Sequence, residues 1–354
     1  MLKAIKMQND KVQIFLTILL KALLFALGYK VCFSDAMLAG ILGVGVMLVV
    51  ITTVLVNAVT EKNGIYYYGF FAIVAFFASL KATEGFGGLG FLLNFVFVPA
   101  TSLLFFLRVK LEPLDAIAGA AIVSAVAVSL LLFLSEGEQG MKKQRESMGL
   151  SVLASMEKTR DQALKLYPER SSEIEKEHAE MVAKTDNVLT MALKMLPSAF
   201  FIFYALGIYL LYNLMVLAAA KSQLAGIKPL SMFQNWEFNW NFVWFVIVGM
   251  AVYLYASKTS PERDTHTGIA AMNMIAMGMI VFEVAGFSIV LYGLSKIIRH
   301  FFLRVAIVVA ILPFAASIFP MVGIMDIWLN FRKPALPEPP LEDNSGNYPD
   351  NFYY

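Results

Sequence analysis

Apolar runs close to the 20 residues that a helix needs to cross the hydrocarbon core recur along this chain, parted by short polar breaks. They fall at about 12–30, 37–58, 65–81, 88–107, 114–134, 195–220, 240–257, 268–295 and 301–329. The pattern predicts an all-α, polytopic integral membrane protein with about nine transmembrane helices. The third and seventh runs are short, and the last two are long enough to tilt, kink or project past the bilayer. Pro313 and Pro320 fall inside the ninth run. Each removes a backbone donor, so a kink or local unwinding is expected there.

One stretch breaks the rhythm. Between the fifth and sixth runs, residues 135–194 carry many charges of both signs. Met148, Val152, Met156, Ala163 and Leu166 recur at helical steps, Pro168 interrupts, and Ser172 and Glu175 have the spacing of a capping box at a helix restart. This segment reads as a polar amphipathic helical hairpin, or as a helical extension of the flanking spans. It is either a solvated connector or a docking surface. The implied organisation is a membrane bundle over 1–134, the hairpin over 135–194, a second bundle over 195–333, and a Pro-rich acidic tail over 334–354 expected to be disordered.

Composition agrees with the membrane reading. The chain is 59% hydrophobic and 15% charged, with a mean hydropathy of +0.69, well outside the usual range of soluble domains. A net charge of +2 without a polybasic block gives no reason to expect nucleic acid. The single cysteine, Cys32, excludes an internal disulfide. The basic N-terminus lacks a cleavage pattern and its apolar run holds Lys21, so an uncleaved first span is expected. Basic clusters divide between the two sides of the bilayer, and the charged hairpin and tail lean to the cytoplasm.

Glu283 is the one formal charge in "MIVFEVAGFSIV". A charge at a bilayer centre costs about 2.5–3.5 kcal/mol on insertion scales, so a partner or a polar cavity is needed. On a helix it shares a face with Ala276 and Gly286, where another helix can approach closely. Candidate partners are Lys21, Asn94, Asn213 and, on its own helix, Asn273. Glu283, Lys21, Asn94 and Asn213 form the candidate substrate-binding set. A purely structural hydrogen bond at Glu283 fits the pattern as well.

Other motifs point to packing. Ala22 and Ala26, Ala39 and Gly43, and Ala116, Ala120 and Ser124 stand at four-residue steps that mark close helix contact. "GFGGLG" at 85–90 follows no strand and lacks a Lys-Ser/Thr ending, so it is not a phosphate loop. Trp236, Trp240 and Trp244 open the seventh span as an interfacial belt does, a ligand cap being the other reading. His178, His266 and His300 are scattered, with no nucleophile–base set and no metal-ligand spacing. No catalytic residue, metal or cofactor is expected.

The ending "MVGIMDIWLNFRK" resembles the YybS-like family of bacterial inner-membrane proteins, a domain of unknown function. The matching residues are Gly323, Asp326, Phe331, Arg332 and Lys333, behind a proline-containing last helix. Asn330 stands where that family tends to have an acid. The resemblance implies an inner-membrane protein with a structural motif at its end. It also implies a first half similar to the substrate-binding components of energy-coupling-factor vitamin transporters, which pair with a separate transporter module. Ala22 and Ala26 resemble the small-residue contact used in that pairing. Asp326, Arg332 and Lys333 suit a helix end, where the two cations oppose the negative end of the dipole.

Two functions follow as expectations. The first is binding or transport of a small solute, without an ATPase of its own and without enzymatic chemistry. The second is a non-transporting membrane scaffold or regulator whose hairpin docks partner proteins. Both place the chain in contact with the lipid bilayer.

Overall fold

The computed structural model describes residues 2–32, 37–82, 93–222, 227–259, 266–315, 317–329 and 331–332. The glycine-rich stretch at 85–90, Lys333 and the tail at 334–354 lie outside the described residues. Among the described residues the regular structure is entirely helical. The helices are α1 (Leu2–Cys32), α2 (Met37–Thr60), α3 (Gly64–Ala82), α4 (Val98–Arg108), α5 (Pro113–Leu166), α6 (Ser171–Lys194), α7 (Leu196–Lys221), α8 (Asn241–Thr259), α9 (His266–Ser295), α10 (Phe301–Ala315) and α11 (Ile318–Leu329). A π-turn at Leu93–Phe97 leads into α4, and short 3-10 turns occupy Pro168–Arg170 and Phe233–Asn235.

Six of these helices are long and apolar enough to cross a membrane: Gln13–Cys32, Leu38–Thr60, Pro113–Leu131, Leu196–Lys221, Asn241–Thr259 and His266–Ser295. The other apolar segments, Gly64–Ser79, Leu93–Arg108, Phe301–Ile311 and Ile318–Leu329, are shorter. Six helices thus meet the length and apolarity of a span, and the expected count of about nine is not confirmed. The ninth run differs most, because it is two helices, α10 and α11. Pro320 stands third in α11, in the first turn, where a backbone N–H has no intrahelical acceptor to lose.

The polar segment is continuous with the fifth span. α5 runs 54 residues from Pro113, about 80 Å at 1.5 Å per residue, of which only Pro113–Leu131 is apolar enough for the bilayer. It ends at Tyr167, where the backbone leaves the helical region (φ −134°, ψ 62°), and Pro168 opens the 3-10 turn that follows. α6 then folds back on α5, with the Thr185 hydroxyl donating to Met156 Sδ at 3.5 Å and Leu189 buried. The Ser172–Glu175 capping box does not form. α6 begins at Ser171, and Arg170 at its N-cap donates to Glu173 at 2.8 Å. That bond holds the Glu173 carboxyl below the ordinary carboxylate range. Its contribution is present at neutral pH and lost as pH falls through the lowered value. Both groups are exposed, so it is small.

The described chain forms two compact units. The first comprises residues up to Leu230 together with Val246–Met277; the second comprises Ser231–Phe245 and the chain from Gly278. Phe25, Tyr29, Leu55, Phe71, Leu103, Ile208 and Met215 are fully buried in the first. The small-residue steps serve packing there: Ala22, Ala116, Ala120 and Ser124 are 0% exposed and Ala26 is 7% exposed. The contact that Ala22 and Ala26 were expected to offer a separate module is thus taken up inside the chain. In the second unit Leu291, Val308 and Phe319 form a buried cluster, with Phe287 stacked on Phe319 at 4.3 Å.

Candidate functional site

α1 and α2 pack antiparallel at two glycines. A Cβ on Gly43 would stand 2.5 Å from the main-chain oxygen of Gly28 and 2.5 Å from the nitrogen of Cys32. Backbones that close fix the register, since only glycine leaves room for the facing chain. Lys21 and Gln13 lie further along α1 from that contact, and Val54, Asn57 and Glu61 further along the antiparallel chain of α2.

A cavity of about 520 Å³ opens between α1, α2 and α3. Its polar wall is Gln13, Thr17 and Lys21 from α1, Asn57 and Glu61 from the end of α2, and Tyr67 from α3. Gln13, Thr17 and Lys21 stand at four-residue steps, one above another on a single helix face. So do Asn57 and Glu61. Lys21 lies eight residues along a span that begins at Gln13, which puts it about 12 Å deeper. Ile14, Ile18, Val54 and Phe71 supply the apolar part of the wall. The depth of Lys21 gives this cavity its meaning. A cation that far into a span needs polar surroundings or a route to water, and the cavity supplies both.

Arg108 ties down the chain that follows α2. Its Nη2 donates to the carbonyls of Ala58 at 2.7 Å and Glu61 at 2.9 Å. These belong to the last turn of α2 and the residue after it, where carbonyls lack helical partners and a cation meets the negative end of the dipole. The main chain at Glu61 is thereby held in place.

The other expected site residues are placed as follows. Asn94 lies in the π-turn, where its carbonyl accepts the Tyr204 hydroxyl at 3.0 Å and its side-chain oxygen is buried without a hydrogen bond. Asn213 donates to the carbonyl of Tyr209 on its own helix at 2.7 Å. Neither lines the cavity that holds Lys21. Glu283 belongs to the second unit, half-buried one turn before Gly286. The four residues are therefore divided between the units, three in the first and one in the second.

Asn273 does separate work. It is 3% exposed, and its Oδ1 accepts from Ser198 N at 3.1 Å and Ser198 Oγ at 2.7 Å. Its Nδ2 donates to the carbonyls of Lys194 at 2.7 Å and Ile269 at 2.9 Å. One amide thus pairs with an N–H at the start of α7 and a carbonyl at the end of α6. Asn273→Ala is expected to destabilise the protein by about 2 kcal/mol, the cost of leaving such groups buried and unpaired. Thermal unfolding in lipid nanodiscs checks this, and an unchanged transition would remove the clamp from the account.

In the second unit the residues of the C-terminal motif come together. Arg332 is 8% exposed, with its Nε 3.3 Å from Asp326 Oδ2. Its Nη1 donates to the carbonyl of Trp236, and its Nη2 to that of Ala285 at 3.4 Å. Asp326 Oδ1 accepts the N–H of Phe331 at 3.0 Å, and the Tyr292 hydroxyl donates to the carbonyl of Arg332 at 3.0 Å. Ser288 reaches the carbonyls of Phe233 at 2.6 Å and Trp236 at 3.2 Å. Gly323 and Gly286 mark the crossing of α11 and α9: a Cβ on either would strike the main chain of Phe282 or Phe319 respectively. A cavity of only about 150 Å³ remains beside Asp326 and Arg332, with Glu237 on its wall. Arg332 is thus a buried tie, where the sequence left a surface pair and a packed neighbour both open. Among the described residues no three His, Cys, Asp or Glu side chains gather to hold a metal.

Sequence reasoning passed over Glu61, Asn57 and Gln13. Their signal was present, as two polar stripes at four-residue steps in or beside apolar runs.

Long apolar helices, buried small-residue contacts and a polar cavity reaching into the first span define an all-helical, multi-pass membrane protein. The chain belongs to the family described as predicted membrane protein (DUF2232), which matches it over residues 12–327. The match takes in Lys21, Glu61, Gly323 and Asp326 and stops before Arg332. No curated protein and no solved structure matches the chain.

Proposed function

We propose that the protein binds or transports a small polar solute in a bacterial inner membrane, with no ATPase of its own and no enzymatic step, and that the cavity holding Lys21 and Glu61 is its site. The depth of Lys21 carries this reading: a cation in mid-span beside a cavity of about 520 Å³ is the kind of intramembrane charge that marks a solute pathway. The size falls within the range of small-molecule sites, about 300–1,000 Å³. The YybS-like resemblance and its likeness to vitamin-binding transporter components point the same way.

Native mass spectrometry of the chain extracted gently from its own membrane tests it. A discrete small molecule is expected on the wild type and markedly depleted on Lys21→Gln. A chain carrying only lipid ends the proposal.

The scaffold reading keeps one observation in its favour. The α5–α6 hairpin exposes Leu150 and Leu166, at 71% and 72%, beyond the apolar part of α5. Deleting 141–192 separates the two: it spares solute binding if the cavity is the site, and removes partner proteins if the hairpin is.

A further inference from the structure

We infer that the cavity between α1, α2 and α3 takes a zwitterion, with the solute's anionic end at Lys21 and its cationic end at Glu61. This rests on the solute-binding reading and adds the chemical class. The cavity presents one cation and one anion, and they lie at different depths. Lys21 stands about two helical turns below Gln13, and Glu61 follows the last residue of α2 at the opening. The two share the cavity without a hydrogen bond joining them.

That arrangement selects by charge. A simple anion at Lys21 enters past Glu61 and stays under its repulsion. A simple cation at Glu61 meets Lys21 in the same way. A solute carrying both charges satisfies both walls and leaves the site neutral, which suits a pocket that reaches into a low-dielectric span. The separation in depth also requires a spacer between the charges. Ile14, Ile18, Val54 and Phe71 offer that spacer an apolar wall, and Asn57, Gln13 and Tyr67 add donors and acceptors around it. The predicted solute is therefore an amino acid in the broad sense: an amine and a carboxylate joined by a short, partly apolar chain.

The test is calorimetric titration of the full chain in lipid nanodiscs. The probes are straight-chain amino acids with the amine on the terminal carbon, from glycine to aminooctanoate, with the N-acetyl form and the methyl ester of each. At least one amino acid should bind saturably, and its N-acetyl and ester forms at least about tenfold more weakly. Lys21→Gln should erase the preference for the free carboxylate and keep that for the free amine. Glu61→Gln should do the converse. A variant that merely misfolds loses both preferences together, so the split between the two ends reports the site itself.

The assignment is overturned if an N-acetyl or ester form binds the wild type as tightly as its parent, or if neither variant alters selectivity. It is overturned too if no member of the series binds. The solute found by native mass spectrometry then decides the broader reading: a molecule with a single net charge keeps the solute-binding function without the zwitterion, and no solute ends both.

Discussion

Gly323→Val is expected to destabilise the second unit by at least about 3 kcal/mol, the upper range of overpacking in a site that cannot yield. Any Cβ at Gly323 falls on the main-chain oxygen of Phe282 and stands 3.0 Å from the nitrogen of Gly286. From the other side, a Cβ on Gly286 falls on the main chain of Phe319. The obstacle is backbone on both faces, so no rotamer change relieves it. Gly293→Ala in α9 is the matched control, because nothing stands within 4 Å of its Cβ. There alanine should be neutral or gain up to about 1 kcal/mol from helix propensity. Unfolding of the three proteins in a denaturing-detergent titration gives the comparison. If Gly323→Val behaved like Gly293→Ala, the helices would not cross as closely as the structure has them.

That crossing shows what could be read from the residues and what could not. Gly286 was legible as a small residue on the face of Glu283, and Gly323 as part of a motif, but nothing local pairs the two. Hydropathy marks where the bilayer ends and not where a helix ends. The apolar run stops near 134 while α5 continues to Leu166, because the charged residues that follow are mostly good helix formers. Hydropathy also reads through a break when both sides are apolar, and so it joined α10 to α11. The cavity was legible in part. Lys21 stood out by its charge, but its companions Gln13 and Thr17 are ordinary polar residues whose meaning lies in their spacing. Glu61 sits just past a span, where an acid is unremarkable until α1 is seen to face it. Asn94 and Asn213 were singled out by polarity alone, and polarity is also satisfied by a neighbouring hydroxyl or by a residue's own helix.

Arg332→Met is expected to cost about 3–5 kcal/mol, the penalty for removing one partner of a buried ion pair. The side chains of Arg332 and Asp326 are only 5% and 12% exposed. The substitution strands the Asp326 carboxylate and takes a charged donor from the carbonyls of Trp236 and Ala285 together. Arg332→Lys should recover only part of the loss, since one ammonium cannot reproduce the guanidinium's fork across two carbonyls and a carboxylate. Asp326→Asn should cost less than Arg332→Met, because its amide oxygen can still accept the N–H of Phe331. The sharper test is the pair. In Arg332→Met with Asp326→Asn no buried charge is left unpaired, so the double variant should be more stable than the sum of the single losses predicts, by about 1–3 kcal/mol. Strict additivity would mean that the two groups act independently and that the ion pair does not organise the end of α11. A surface pair would show a coupling below about 1 kcal/mol, weakened further by salt. Coupling that persists in high salt therefore identifies a buried tie, and it does so without any assumption about what the protein carries.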